Sequence, residues 1–179
     1  MRINLVPVQI KNSSLIEFIR KQLELILNSE ILINNVDIDL KKHFNESRKQ
    51  YYSTEIITSS IPLTIDLQGK VLFLVDVDLF VPVFTYLFGE AQLNGKHSIV
   101  SIFRLYEEFY TGRTNDKLFY TRVLKEVLHE LGHNFGLLHC ESWDCVMHSS
   151  AGIEEVDVKG KFYCSKCEST VNKYLHPSY

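Results

Sequence analysis

The sequence predicts an α/β (α+β) fold, a mixed sheet with helices packed on it, in a single domain spanning residues 1–179. Three observations carry that expectation. Apolar residues alternate in RINLVPVQI (2–10) and in INNVDIDL (33–40), the pattern of strands. Between them, SSLIEFIRKQLELILNS (13–29) repeats Leu15, Ile16, Ile19, Leu23, Ile26 and Leu27 at helical spacing. Strand–helix–strand at this spacing implies a crossover and parallel pairing. Finally, VLFLV within VLFLVDVDLF (71–80) is continuously apolar, as in a central strand covered on both faces.

The remaining elements follow in order. Ser13 is the expected N-cap of the first helix. Residues 41–50 are polar and read as loop. QYYSTEIITSSI (50–61) reads as a short helix, with Tyr51, Glu55 and Ile56 at helical offsets against a β-branched content that favours strand. Pro82 limits the extension of the central strand. FTYLFGEAQL and HSIVSIFRL (97–105) are strand-like and are separated by Asn94-Gly95, a turn signal, which suggests an antiparallel hairpin or edge. From Asn115 a long helix runs through a cluster of histidines. Leu118, Phe119, Val123, Leu124, Val127, Leu128 and Leu131 give it an apolar face for the core.

Composition narrows the function classes. Of 179 residues, 45% are hydrophobic, enough to bury a core, and the net charge of −3 lacks the basic stripe of a nucleic-acid binder. No apolar run approaches the ~20 residues of a membrane span. MRINLVPVQIKNSS has no apolar stretch long enough for a secretory signal, so the expected location is the cytoplasm. All four cysteines (Cys140, Cys145, Cys164 and Cys167) are C-terminal. In a reducing compartment, clustered thiols bind metal more often than they form disulfides.

The segment HELGHNFGLLHCESWDCVM (129–147) carries the chemistry. His129 and His133, four apart, project from one side of a helix, so both can reach one Zn²⁺. Glu130 lies beside that metal, where a carboxylate can take a proton from water acidified by zinc. Gly136 can end the helix in the left-handed conformation, letting His139 swing back as a third ligand. Three imidazoles leave one position open, as in a catalytic site. A bare HExxH does occur by chance on ordinary helices; Gly136 and His139 at the required offsets make that reading a poor one. His43, His97, His148 and His176 are expected to be ordinary histidines, although His148 could line the site.

Cys140-x4-Cys145 and Cys164-x2-Cys167 make a closed four-thiolate set, the signature of a structural zinc. Two disulfides are the alternative. The expected count is therefore two zinc ions, one catalytic and one structural. Met147 is core filler in a generic protein. Here a second zinc would hold its loop close to His139, with the thioether beneath the imidazoles.

The motif His-Glu-x-x-His-x-x-Gly-x-x-His with a following methionine resembles the metzincin zinc metallopeptidases, which carry a Met-turn. HELGHNFGLLHC, then ESWDC, VM and CSKC, resembles the archaemetzincin branch. VDVDLFVPVFTYLFGEAQL (75–93) and SIVSIFRL (98–105) also look like that family's strands. The resemblance implies a compact zincin-like domain with a twisted mixed sheet, an active-site helix and a zinc-stabilised C-terminal subdomain. Residues 1–136 would form the upper subdomain and 137–179 the lower. It implies His129, His133 and His139 as catalytic zinc ligands, Glu130 as general base, Met147 as the Met-turn, and the four cysteines as ligands of the second zinc. An edge strand within 86–101 would hold an extended peptide by main-chain pairing. Tyr163 is not expected to ligate.

The function expected is zinc-dependent hydrolysis of peptide bonds by a monomer, with a peptide or protein as partner. The alternative is a zinc-stabilised peptide-binding module with little or no turnover, which would have no need for Glu130. A nucleic-acid-binding ribbon at 140–167 is disfavoured, since Lys159, Lys161 and Lys166 are outnumbered there by Glu141, Asp144, Glu154, Glu155 and Asp157.

Overall fold

The computed structural model describes residues 1–176. Strand β1 (Arg2–Val8) leads into helix α1 (Ser13–Leu27), which returns the chain to β2 (Glu30–Ile33). The two strands pair in parallel, Arg2 opposite Glu30, as a crossover requires. Leu15, Ile19, Leu23 and Leu27, one helical turn apart, are the buried stripe of α1. The N-cap is Asn12 and not Ser13: its side-chain oxygen accepts from the Leu15 N–H at 2.9 Å.

The expected strand at 33–40 lies earlier, at Glu30–Ile33. Asn28 takes the left-handed conformation at the end of α1 (φ 44°), so the chain reverses at once and pairs directly beyond the helix. Residues 34–39 follow the strand without a ladder. Ile38 and Leu40 are nonetheless buried and Val36 half-buried, so the alternation reports burial without pairing. The loop expected over 41–50 holds a 3₁₀ turn (Leu40–His43) and two short strands, β3 (Phe44–Asn45) and β4 (Gln50–Tyr52). The short helix in 50–61 is α2 (Ser53–Ser60).

The central strand is β5 (Lys70–Val75), buried at every residue. It pairs in parallel with β1 on one side and with β8 (His97–Ser101) on the other. β7 (Gly89–Ala91) joins β8 antiparallel as the outermost strand, giving the order β2-β1-β5-β8-β7. The hairpin turns at Asn94, whose φ is 52°. The end of the run at 71–80 leaves this sheet: β6 (Leu79–Phe80) pairs with β4 in a small second sheet. Both faces of the main sheet are covered. Ile3, Leu5, Leu72, Leu74 and Val100 face α1 and the long helix α4 (Asp116–Asn134), while Val6, Val8, Val71, Phe73, Val75 and Ile99 face the side of α2. That double coverage explains the unbroken apolar run. A single turn, α3 (Glu108–Thr111), precedes α4, and α5 (Ile153–Val158) and α6 (Ser165–Leu175) complete the chain. No helix among the described residues is long and apolar enough to cross a membrane.

The C-terminal end of α4 is tied to the hairpin. The Asn94 N–H donates to the His133 carbonyl at 2.8 Å, and Asn134 Nδ2 donates to the carbonyls of Gln92 and His97. Buried Lys70 sends its ammonium to the carbonyls of Gly95 (2.6 Å) and Asn134 (2.7 Å), with the Tyr174 ring 4.5 Å away. A cation at a helix C-terminus is favourable, and its two charged hydrogen bonds offset the burial.

Two predictions follow from this packing. Lys70→Met leaves the Gly95 and Asn134 carbonyls without their donor, so the unfolding free energy should fall by about 1.5–3 kcal/mol. A urea midpoint unchanged at constant slope would rule that out. The second concerns His97, whose Nε2 lies 3.0 Å from Thr64 Oγ1. Burial, aided by the Lys96 charge, lowers its pKa to about 4, whereas the unfolded chain titrates near ~6.5. Between these values the unfolded state binds the extra proton. The contribution is therefore complete above pH ~6.5 and is lost as pH falls toward about 4. His97→Gln should flatten that stretch of the stability–pH curve; an unchanged slope would assign the acid sensitivity elsewhere.

Candidate active site

Helix α4 is capped by Asn115, whose side chain accepts from the Leu118 N–H at 3.1 Å. It ends in a Schellman motif: Gly136 N–H donates to His133 O, Leu137 N–H donates to Gly132 O, and Gly136 adopts φ 88°. The turn sends His139 back toward the helix. The rings of His129, His133 and His139 lie 4.7–5.3 Å apart by centroid, and one nitrogen from each falls within 4.8 Å of the others. His129 Nε2 and His133 Nε2 are 3.1 Å apart.

Backbone carbonyls set both helical rings. His129 Nδ1 donates to Val146 O and His133 Nδ1 to Leu137 O, each at 2.8 Å. That leaves each Nε2 with a free lone pair. Burial holds all three imidazoles below the usual range, His129 well below it, and the Lys159 charge adds to the effect. Neutral imidazoles with converging lone pairs are what a metal requires.

Glu130 is buried beside this cluster. Burial raises its carboxyl pKa well above the usual range, with the Glu126 and Glu90 charges adding and Lys159 opposing. It packs against the backbone of Gly89 in the edge strand. A Cβ at Gly89 would lie 2.6 Å from Glu130 Oε1, so no larger residue fits without displacing the carboxylate. The cluster opens on a cleft of about 770 Å³. One wall is β7 with the segment before it (Phe84 and Tyr86 through Phe88). Leu138 and Ser149–Ala151 line the opposite side, and α4 lies between them.

The four cysteines form a second cluster with all sulfurs within 4.8 Å of one another. All four are free thiols; Cys140 and Cys164 are 3.9 Å apart at Sγ, well beyond the ~2.05 Å of a disulfide. Cys164 stands at the N-cap position of α6, and its thiol is lowered to about 7, chiefly by the Cys167 N–H; burial raises Cys145 and Cys167. The clusters share the loop 140–148. Cys140 N–H donates to Met147 O at 2.9 Å, Val146 N–H donates to Phe162 O at 2.8 Å, and the Val146 carbonyl holds His129.

Met147 is fully buried near the histidines, and its thioether packs on the helix backbone itself. A Cβ at Gly132 would lie 2.3 Å from Met147 Sδ. His148 stands outside the trio: its Nδ1 donates to Cys140 O, and its ring packs 3.9 Å from Trp143. Tyr163 donates its hydroxyl to Leu128 O at 2.6 Å. Sequence reasoning missed Gly89, Gly132, Glu126 and Lys159. A glycine inside a helix costs about 1 kcal/mol against alanine, so Gly132 carried a readable signal; the other three carried none.

Comparison with known proteins agrees with this architecture. Residues 20–173 match the model of Peptidase family M54. The archaemetzincin of Methanocaldococcus jannaschii is 38% identical over 167 residues, covering 93% of this chain and 90% of that protein. Among solved structures, the Archaeoglobus fulgidus archaemetzincin complexed with malonate superposes with a TM-score of 0.81 at 33% identity, covering 95% of this chain and 99% of that one. The zinc-dependent peptidase of Methanocorpusculum labreanum gives 0.83 at 25% identity, covering 95% of this chain and 100% of that one. With this similarity running through nearly its whole length, the chain belongs to peptidase family M54, the archaemetzincins, and is a metallopeptidase.

Proposed function

We propose that the chain hydrolyses peptide bonds with zinc held by His129, His133 and His139 and with Glu130 as general base. The observation that carries this reading is the convergence of three imidazole nitrogens beside a buried carboxylate on an open cleft. The donor set suits the ion: tetrahedral Zn–N bonds of ~2.05 Å put the nitrogens roughly 3.3 Å apart, close to the 3.1 Å between His129 and His133. Cys140, Cys145, Cys164 and Cys167 would hold a second, structural zinc. Tetrahedral Zn–S bonds need sulfurs roughly 3.8 Å apart, against 3.9 Å for Cys140 and Cys164. We read residues 1–136 as the upper and 137–179 as the lower half of one peptidase domain, with Met147 as the Met-turn that supports the helix at Gly132.

A zinc ion at the histidines would supply Lewis acidity toward the scissile carbonyl and toward water. Glu130 takes a proton from the attacking water and delivers it to the leaving nitrogen as the C–N bond breaks. Its burial favours the protonated form, which suits the second half of that task; the first half needs a nearby positive charge. β7, the outer strand with an unpaired edge, would bind the substrate backbone in extended form.

Two experiments test this. Glu130→Gln should retain metal, because the carboxylate is not a ligand, and lose about 10²–10⁴-fold in hydrolysis of a peptide library. His133→Ala should lose metal as well. If the wild type binds library peptides as tightly as Glu130→Gln does and turns none of them over, the binding-module reading replaces this one. Separately, metal analysis should approach two zinc ions per chain. A mild chelator should take the histidine-bound ion first and leave the fold intact, since structural zinc contributes folding energy directly. Loss of both ions together with global unfolding would argue against the division of labour.

A further inference from the structure

Behind the histidines lies a buried charge pair with no part in the steps above. The Lys159 side chain is completely buried, and its ammonium sits 2.8 Å from Glu126 Oε1, one turn before Glu130 on α4. The geometry there makes the contact an ion pair and not an aligned hydrogen bond, since Glu126 Oε1 has no hydrogen-bond partner. The same ammonium lies 3.4 Å from His129 Nδ1 and 3.4 Å from the His148 carbonyl. His129 Nδ1 already donates to Val146 O, so it cannot accept from Lys159. A positive charge thus rests against the N–H edge of a metal-binding imidazole.

The backbone around Lys159 is held on both sides. Lys125 donates to the Lys159 carbonyl at 2.8 Å. At Gly160 a Cβ would fall 2.0 Å from the Asp144 carbonyl oxygen. The backbone that carries the buried side chain is therefore fixed beside α4. Partners outside the ligands tune a metal site: a carboxylate behind a ligating histidine raises its basicity, and a cation there does the reverse.

We propose that Lys159 is a positioning residue of the histidine metal site, held by Glu126 so that its charge draws electron density from His129 and weakens the hold on the metal. The bound ion is then more electron-poor and a stronger Lewis acid, at the expense of affinity. This rests on the reading of His129, His133 and His139 as ligands.

The test is metal affinity, which needs no substrate. Apo protein is titrated with Co²⁺ against a chromophoric chelator, and thiolate charge-transfer bands separate the cysteine site from the imidazole site. Lys159→Met should bind the ion at the histidines about 10-fold more tightly, and Lys159→Arg should stay near wild type. Simple loosening of the fold would weaken binding, so the direction of change separates tuning from packing. Should Lys159→Met fail to fold because Glu126 is left unpaired, the double variant Glu126→Gln/Lys159→Met, neutral and similar in size, should also bind more tightly than wild type, with a smaller gain because the Glu126 charge is removed with it. Unchanged or weaker affinity in the folded variant overturns the proposal. Wild-type protein that takes no metal at the histidines would instead sink the peptidase reading.

Discussion

Helix α4 buries a polar face, and the requirement that each buried polar group find a partner organises the rest of the molecule. Arg122 reaches Asp157, Glu107 and the Leu105 carbonyl. Lys125 donates to the carbonyls of Val156, Asp157 and Lys159 at the end of α5. Glu126 pairs with Lys159, His129 with Val146 O, His133 with Leu137 O, and Asn134 with the hairpin. The partners come from four regions of the chain: 105–107, the sheet hairpin, 137–146 and 156–159. The C-terminal third is docked on α4 by these contacts, and the sheet edge is docked on it by Lys70 and Asn134. For Glu130, burial and neighbouring charge shift the carboxyl, with no hydrogen bond to offset them. The carboxylate is kept uncommitted in this way.

Close approach is the second constraint. Gly89 and Gly132 each leave room for one atom group that matters, the Glu130 carboxylate at the first and the Met147 thioether at the second. The edge strand can therefore run directly over the carboxylate, and the loop 140–148 can press directly on the helix between His129 and His133. That loop also carries Cys140 and Cys145, so whatever orders the cysteines also fixes the Val146 carbonyl that orients His129. The two clusters are chemically different but mechanically joined.

The sheet serves the same end. Parallel strands β1, β5 and β8 form a core covered on both faces. Only β7 breaks the direction, and it lies at the cleft. An antiparallel edge can be reached by a two-strand hairpin turn, whereas another parallel strand would need a crossover that covered the opening. The turn at Asn94 is then used twice, once to reverse the chain and once to hold the helix end at His133.

Local pattern was enough for much of this. Periodicity in 13–29 and from Asn115 gave α1 and α4, the unbroken VLFLV gave the buried central strand, and Asn94-Gly95 gave the hairpin, because each depends on neighbours within a few residues. The histidine and cysteine spacings likewise marked the two clusters that the fold brings together, since helical geometry and a glycine-permitted turn act locally. The strand expected at 33–40 was misread because Ile38 and Leu40 are buried without pairing, and alternation reports burial and not hydrogen bonding. The end of 71–80 passed to a second sheet for a reason equally distant in sequence, the pairing of Leu79 with Tyr51. Only the tertiary structure could bring Gly89 over Glu130, Met147 under Gly132, and Lys159 behind His129. Such contacts join residues about fifteen to forty apart, and which side chain fills a buried polar group's need is decided by packing in three dimensions.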